Sequence, residues 1–81
     1  MTEDITPDET LDCRGLRCPM PILKTKKALG NMKPGQILEI LGTDSGTGDD
    51  LPIFARRTGH EYLGKKDDKD FMRFYVKVKQ A

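Results

Sequence analysis

The residues in this 81-residue chain best placed for chemistry are Gly15-Leu16-Arg17-Cys18-Pro19-Met20-Pro21. A thiol directly precedes two prolines spaced one residue apart. Proline suits the first position of a helix, where its missing N–H is not needed and its fixed φ is already helical. The spacing therefore predicts a helix starting at Pro19, with Cys18 near its N-cap. A thiol there feels the positive end of the helix dipole, which favours the thiolate. Arg14 and Arg17 would add to that effect if they fold back over the sulfur. Pro19 and Pro21 also remove two of the first helical N–H groups and leave Met20 to offer a free one. The segment thus suits rigid presentation of an exposed sulfur nucleophile better than strong activation of it.

The helix behind the cysteine has to hold it in place. Over residues 19–32, Ile22, Thr25, Ala28, Leu29 and Met32 fall on one apolar stripe, and Lys24, Lys27 and Asn31 fall on the far side. Met20 and Leu23 lie off the stripe, nearer the lysines, as a candidate docking patch beside the thiol. Residues 13–38 carry Arg14, Arg17, Lys24, Lys26, Lys27 and Lys33 and no acid, whereas residues 1–12 carry Glu3, Asp4, Asp8, Glu9 and Asp12 and no base. A basic block on the cysteine helix can steer an acidic partner toward the sulfur.

The remaining elements follow from periodicity and turn residues. Residues 1–9, polar and interrupted by Pro7, read as a loose acidic arm. Residues 10–13 read as a short edge strand that turns at Arg14-Gly15 and puts Leu11 and Cys13 on one face. Cys13 is expected to be a small buried core residue. Residues 36–41 read as a central strand after the Lys33-Pro34-Gly35 stop, giving a βαβ unit with a right-handed crossover if its strands are parallel. Residues 43–50 read as a polar, glycine-containing connector. It lacks the lysine of a phosphate loop and the spacing of a calcium loop. Leu51, Phe54, Ala55 and Thr58 form the stripe of a second, shorter helix with Pro52 in its first turn and Gly59 past its end. Residues 60–66 and 71–79 read as an antiparallel hairpin. Its last strand alternates Met72, Phe74, Val76 and Val78 inside with Arg73, Tyr75, Lys77 and Lys79 in water. Leu29, Leu38, Ile40, Phe54, Phe74 and Val76 are the expected shared core. His60, with no partner evident in the sequence, reads as structural.

Length allows one domain, over residues 10–81, and no second core. No run resembles a membrane span or a secretion signal, so a cytoplasmic, membrane-free protein is expected. Two cysteines are too few for a disulfide scaffold, and with the lone His60 they make no recognised metal spacing. Net charge is +1, and the basic block has no aromatic platform, which disfavours direct nucleic-acid binding.

The segment Leu11-Asp12-Cys13-Arg14-Gly15-Leu16-Arg17-Cys18-Pro19-Met20-Pro21 carries every fixed position of Leu-Asp-X-X-Gly-Leu-X-Cys-Pro-X-Pro. It resembles the hallmark of the TusA (SirA-like, YhhP-like) sulfur-carrier family. The likeness continues through Met32-Lys33-Pro34-Gly35, Thr43-Asp44 and Leu51-Pro52 to Gly59-His60-Glu61. The resemblance implies an α+β fold, a two-layer sandwich of order β-α-β-α-β-β with two helices on one face of a mixed four-stranded sheet. It implies a monomer without cofactor or metal. Cys18 would take a sulfane sulfur from a cysteine desulfurase or rhodanese-like donor and deliver it to an acceptor protein, in tRNA thiolation, molybdenum-cofactor synthesis or sulfur oxidation. Gly15, Arg17, Pro19 and Pro21 would support the thiol, and Arg14, Met20, Leu23, Lys24 and Lys27 would meet the partner. Turnover would need both partners. Two alternatives stand beside it. One is a thiol redox module pairing Cys13 with Cys18, although Cys-x4-Cys is not the thioredoxin spacing. The other is a non-catalytic regulatory or RNA-binding module.

Overall fold

The computed structural model describes residues 6–17 and 19–79. Its elements are β1 (Glu9–Cys13), α1 (Met20–Gly30), β2 (Ile37–Gly42), α2 (Ser45–Thr58), β3 (Glu61–Asp67) and β4 (Met72–Lys77). The sheet order is β1-β2-β4-β3. The β1–β2 pairing is parallel, from Glu9 opposite Leu38 to Cys13 opposite Gly42. Both β2–β4 and β3–β4 are antiparallel, so the sheet is mixed. The two helices form the second layer of an α+β sandwich, and the order is the one the sequence predicts. β1 begins inside the stretch read as an arm: Glu9 is in the strand, and Asp8 donates its N–H to the Ile37 carbonyl at 2.8 Å and accepts the Ile37 N–H at 2.8 Å. Residues 1–5 lie outside the described residues.

The core lies between the helices and one sheet face. Leu29 from α1, Leu51 and Ala55 from α2, and Leu38, Ile40, Phe74 and Val76 from the central strands are all buried together with Cys13. Each large side chain buried this way contributes about 1.5–3 kcal/mol. Of the expected core, only Phe54 is half-buried, packed against the cluster rather than within it. Pro21 and Thr25 are buried on α1, so the second proline of the motif is a packing residue as well as a helix starter.

α2 is longer than its periodicity suggests. It begins at Ser45, with Asp44 as N-cap accepting the Gly46 N–H at 3.3 Å, so Pro52 stands inside the helix rather than in its first turn. One of the glycines that made residues 43–50 look like a connector, Gly48, has a packing role, and so does Gly42 at the end of β2. A Cβ on Gly48 would lie 3.4 Å from the Phe74 ring, and one on Gly42 would lie 3.3 Å from its other edge. The first turns of α2 and the end of β2 thus close on Phe74 from two sides. Gly59 ends the helix at φ 88, the left-handed C-cap that favours glycine.

The hairpin also differs in detail. β3 starts at Glu61, and the register slips between Tyr62 and Gly64. The outward face of β4 is not simply wet. Tyr75 is buried, and its hydroxyl donates to Glu39 Oε2 at 2.9 Å. Glu39 is itself 7 % exposed and also accepts from Thr10 Oγ1 at 3.0 Å and Arg73 Nη1 at 3.2 Å. A carboxylate that well satisfied can lie under the side chains of a sheet face otherwise open to solvent.

Candidate functional site

The site is the segment that leaves β1, turns, and enters α1. Cys18 falls within it by sequence and lies outside the described residues; its neighbours on both sides are described. The turn starts with Leu16, whose N–H reaches the Cys13 carbonyl at 3.1 Å. Gly15 adopts φ 84, the conformation a residue with a Cβ resists. Its N–H donates to Thr43 Oγ1 at 2.9 Å, which ties the turn to the β2–α2 junction. The Met20 N–H then donates to the Arg17 carbonyl at 2.9 Å, closing a turn from Arg17 to Met20.

That last bond changes the electrostatic expectation. α1 starts at Met20, one residue later than predicted; Pro19 is its N-cap and Pro21 its second residue. The Leu23 N–H meets the Pro19 carbonyl at 3.0 Å. The Met20 N–H, the one expected to be free for an anion, is engaged by Arg17. The helix start therefore has fewer free donors than an ordinary anion-binding helix terminus.

Arg14 is not folded toward α1. Its backbone N–H, Nε and Nη2 all donate to the Asp12 carboxylate, at 3.0, 2.9 and 2.9 Å. Its guanidinium lies 5.0 Å from the Phe71 ring centroid, and that of Arg73 lies 5.0 Å from the same ring. The Arg14 side-chain hydrogen bond holds the Asp12 carboxyl down at about 2. Arg14 thus belongs to the sheet's open face, its charge matched by Asp12. Arg17, by contrast, is exposed. Cys13 is fully buried, and burial pushes its thiol above the ordinary value, against a smaller opposing effect of Lys24.

Downstream, α1 offers the expected docking residues to solvent. Met20 is 44 % and Leu23 54 % exposed, and Lys24 and Lys27 are exposed beside them. α2 adds Ile53, 53 % exposed, which lies off the helix's buried stripe of Thr47, Leu51 and Ala55. Pro19, Ile22, Ile53, Phe54, Arg57 and Asp50 line a groove of about 270 Å³ between the start of α1 and the side of α2. The signal for it was a branched apolar residue off the stripe and next to Pro52. His60 is elsewhere: its Nδ1 accepts the Lys79 N–H at 3.0 Å, and it lines a separate cavity of about 630 Å³ beside the C-terminal ends of the helices. Among the described residues, no three His, Cys, Asp or Glu side chains are grouped to hold a metal, and no helix is long and apolar enough to cross a membrane.

Fold and site together define a small α+β domain that offers a single Cys-Pro-X-Pro turn at the start of its first helix. The family described as sulfurtransferase TusA matches residues 9–78. Among similar proteins, the putative sulfur carrier protein YrkF of Bacillus subtilis is 48 % identical over 83 % of this chain, and the chain spans only 36 % of that relative's length. The sulfur carrier protein TusA of Allochromatium vinosum is 41 % identical, with 86 % of this chain and 92 % of that protein covered. The crystal structure of a SirA-like protein from Desulfitobacterium hafniense superposes with a TM-score of 0.73 at 25 % identity, over 89 % of this chain and 99 % of that one. The chain belongs to the TusA family, and the function its membership supports is sulfur carriage, with a donor and an acceptor as the partners that such a role implies.

Proposed function

We propose that Cys18 is the residue that carries the sulfur, within one carrier domain over residues 10–81 acting as a monomer. The observation that supports this reading most directly is the contrast between the two cysteines' surroundings. Arg17, Pro19 and Met20, which flank Cys18, are exposed, whereas Cys13 is sealed in the core. A carrier needs a sulfur that two different proteins can reach in turn.

In the step itself, the Cys18 thiolate attacks the terminal sulfur of a donor persulfide. The donor's S–S bond breaks, a new S–S bond forms on Cys18, and the donor sulfur leaves as a thiolate. The transferred sulfur keeps its proton and no outside oxidant is consumed. Delivery repeats the exchange with an acceptor thiolate. The donor is a cysteine desulfurase or rhodanese-like protein, and the acceptor serves tRNA thiolation, molybdenum-cofactor synthesis or sulfur oxidation. A thiol that must stay reduced between rounds fits the cytoplasm. Gly15, Pro19 and Pro21 fix the turn, Arg17 lies beside the thiol in the chain, and Met20, Leu23, Lys24 and Lys27 meet the partner.

Intact-protein mass spectrometry after incubation with glutathione persulfide tests this. Wild type and Cys13→Ala should each gain one sulfur atom, mapped to Cys18, and Cys18→Ser should gain none. Sulfur mapped to Cys13, or uptake by Cys18→Ser, would overturn the assignment. A requirement for both cysteines would replace it with the redox pair.

A further inference from the structure

The Gly15 N–H of the cysteine turn is held by a side chain 28 residues along the chain. Its acceptor, Thr43 Oγ1, stands at the junction where β2 ends and α2 begins. Hydrogen bonds brace that junction. Asp44 caps α2 through the Gly46 N–H at 3.3 Å, and its carbonyl accepts the Thr47 N–H at 3.1 Å. Around Gly15, the chain is also fixed by the Arg14 backbone N–H on the Asp12 carboxylate and by the Leu16 N–H on the Cys13 carbonyl. Gly15 itself, at φ 84 with nothing within 4 Å of where a Cβ would stand, is the pivot between these anchors.

From this geometry we propose that Thr43 is a positioning residue for sulfur transfer, acting through the Gly15 amide on the direction in which residues 15–17 run toward Cys18. This rests on the assignment of Cys18 as the carrier. The turn needs such a fastening because its glycine has the widest conformational freedom of any residue. Without the bond, residues 15–17 lose one of the described contacts that hold them, and the sulfur spends less time in the attacking geometry. The bond is exposed, so water replaces the hydroxyl at little cost in stability. Its loss therefore alters where the turn points more than whether the domain folds. Thr43 does not contact the reacting sulfur in this account.

Thr43→Val keeps the shape and removes the acceptor; Thr43→Ser keeps the acceptor and removes the methyl. With glutathione persulfide as donor, Thr43→Val should take up sulfur about three- to tenfold more slowly, the range a single net hydrogen bond spans. Hydrogen exchange at the Gly15 amide should rise by a similar factor, and the melting temperature should hold. Thr43→Ser should match wild type in all three. The proposal is overturned if Thr43→Val loads at the wild-type rate, or if Gly15 exchange is unchanged. It is also overturned if Thr43→Ser is as slow as Thr43→Val, or if the slower loading comes with a matching fall in melting temperature. Failure of wild type to load Cys18 at all overturns the carrier assignment, and this inference with it.

Discussion

Arg14 and Arg17 look equivalent in the sequence, two cations just upstream of a thiol, and the fold separates them. Asp12 lies two residues before Arg14 in an edge strand, close enough for its carboxylate to accept from the backbone N–H and from the Nε and Nη2 edge of the guanidinium. Phe71, from the turn before β4, supplies a ring for the cation to stack on. The pairing with Asp12 was legible in principle, because Asx side chains commonly bind the backbone two residues on. The Phe71 contact was not, since it depends on β4 returning beside β2. Cys13 was legible throughout: a small apolar residue alternating with Asp12 on a strand had to face the helices. At this scale the expectation is that Arg14→Ala leaves the rate of sulfur uptake within about twofold of wild type, because exposed ion pairs carry little energy and this one faces away from α1. A slowdown as large as that caused by losing the lysines of α1 would return Arg14 to the partner surface.

Among the elements, α1 was predicted almost as found and α2 was not. α1 carries its signals in the residues that bury it, from Pro21 through Thr25 to Leu29. The first turns of α2 contain Gly48, which approaches Phe74 closely, a tertiary need that overrides propensity. Pro52 misled for the same reason: within a longer helix it no longer marks a start. The register slip at Gly64 gave no sign beyond a glycine in a strand. The solvent face of α1 makes the prediction that belongs here. Lys24 and Lys27 project with Leu23 and Met20 on the exposed side of the helix that follows the thiol. Charge reversal at both lysines should slow sulfur transfer from a persulfide-bearing cysteine desulfurase by about tenfold at low salt. The deficit should shrink as salt rises, since screening acts over about 8 Å at physiological strength. Circular dichroism should show the variant folded. Equal rates for variant and wild type at low salt would remove steering from the account.

In the whole molecule the sheet has two different faces, and titratable groups sit in both. The sequence showed the apolar face through the alternation of β4. It hid the polar one, because Glu39 lies within an apolar run and Tyr75 in a row of cations. Only the β2–β4 register, which sets Glu39 opposite Tyr75, brings these two together. This arrangement bounds the pH range of the fold. Arg14 holds Asp12, and Arg73 holds Asp68, below the ordinary 3.8, so their contribution is present above that value and lost as pH falls through the folded ones. Burial, aided by Lys79, lowers His60 from 6.5; the unfolded chain then binds the proton more readily, and stability falls as pH drops below 6.5. Burial raises the Cys13 thiol from 9.0 and the Tyr62 and Tyr75 hydroxyls from 10.0, Tyr75 further through its hydrogen bond to Glu39. These groups ionise first in the unfolded chain, so their contribution is intact below 9.0 and is lost as pH rises through the folded values. Melting temperature should therefore be flat between about 6.5 and 9 and decline on either side. Tyr75→Phe and Cys13→Ala should each flatten the alkaline limb while lowering the plateau, the first by stripping Glu39 of a donor and the second by leaving a small void in the core. His60→Gln should flatten the limb just below 6.5 and leave the alkaline one unchanged. A maximum that lies below pH 6, or an alkaline limb that neither substitution alters, would show that other groups set the range.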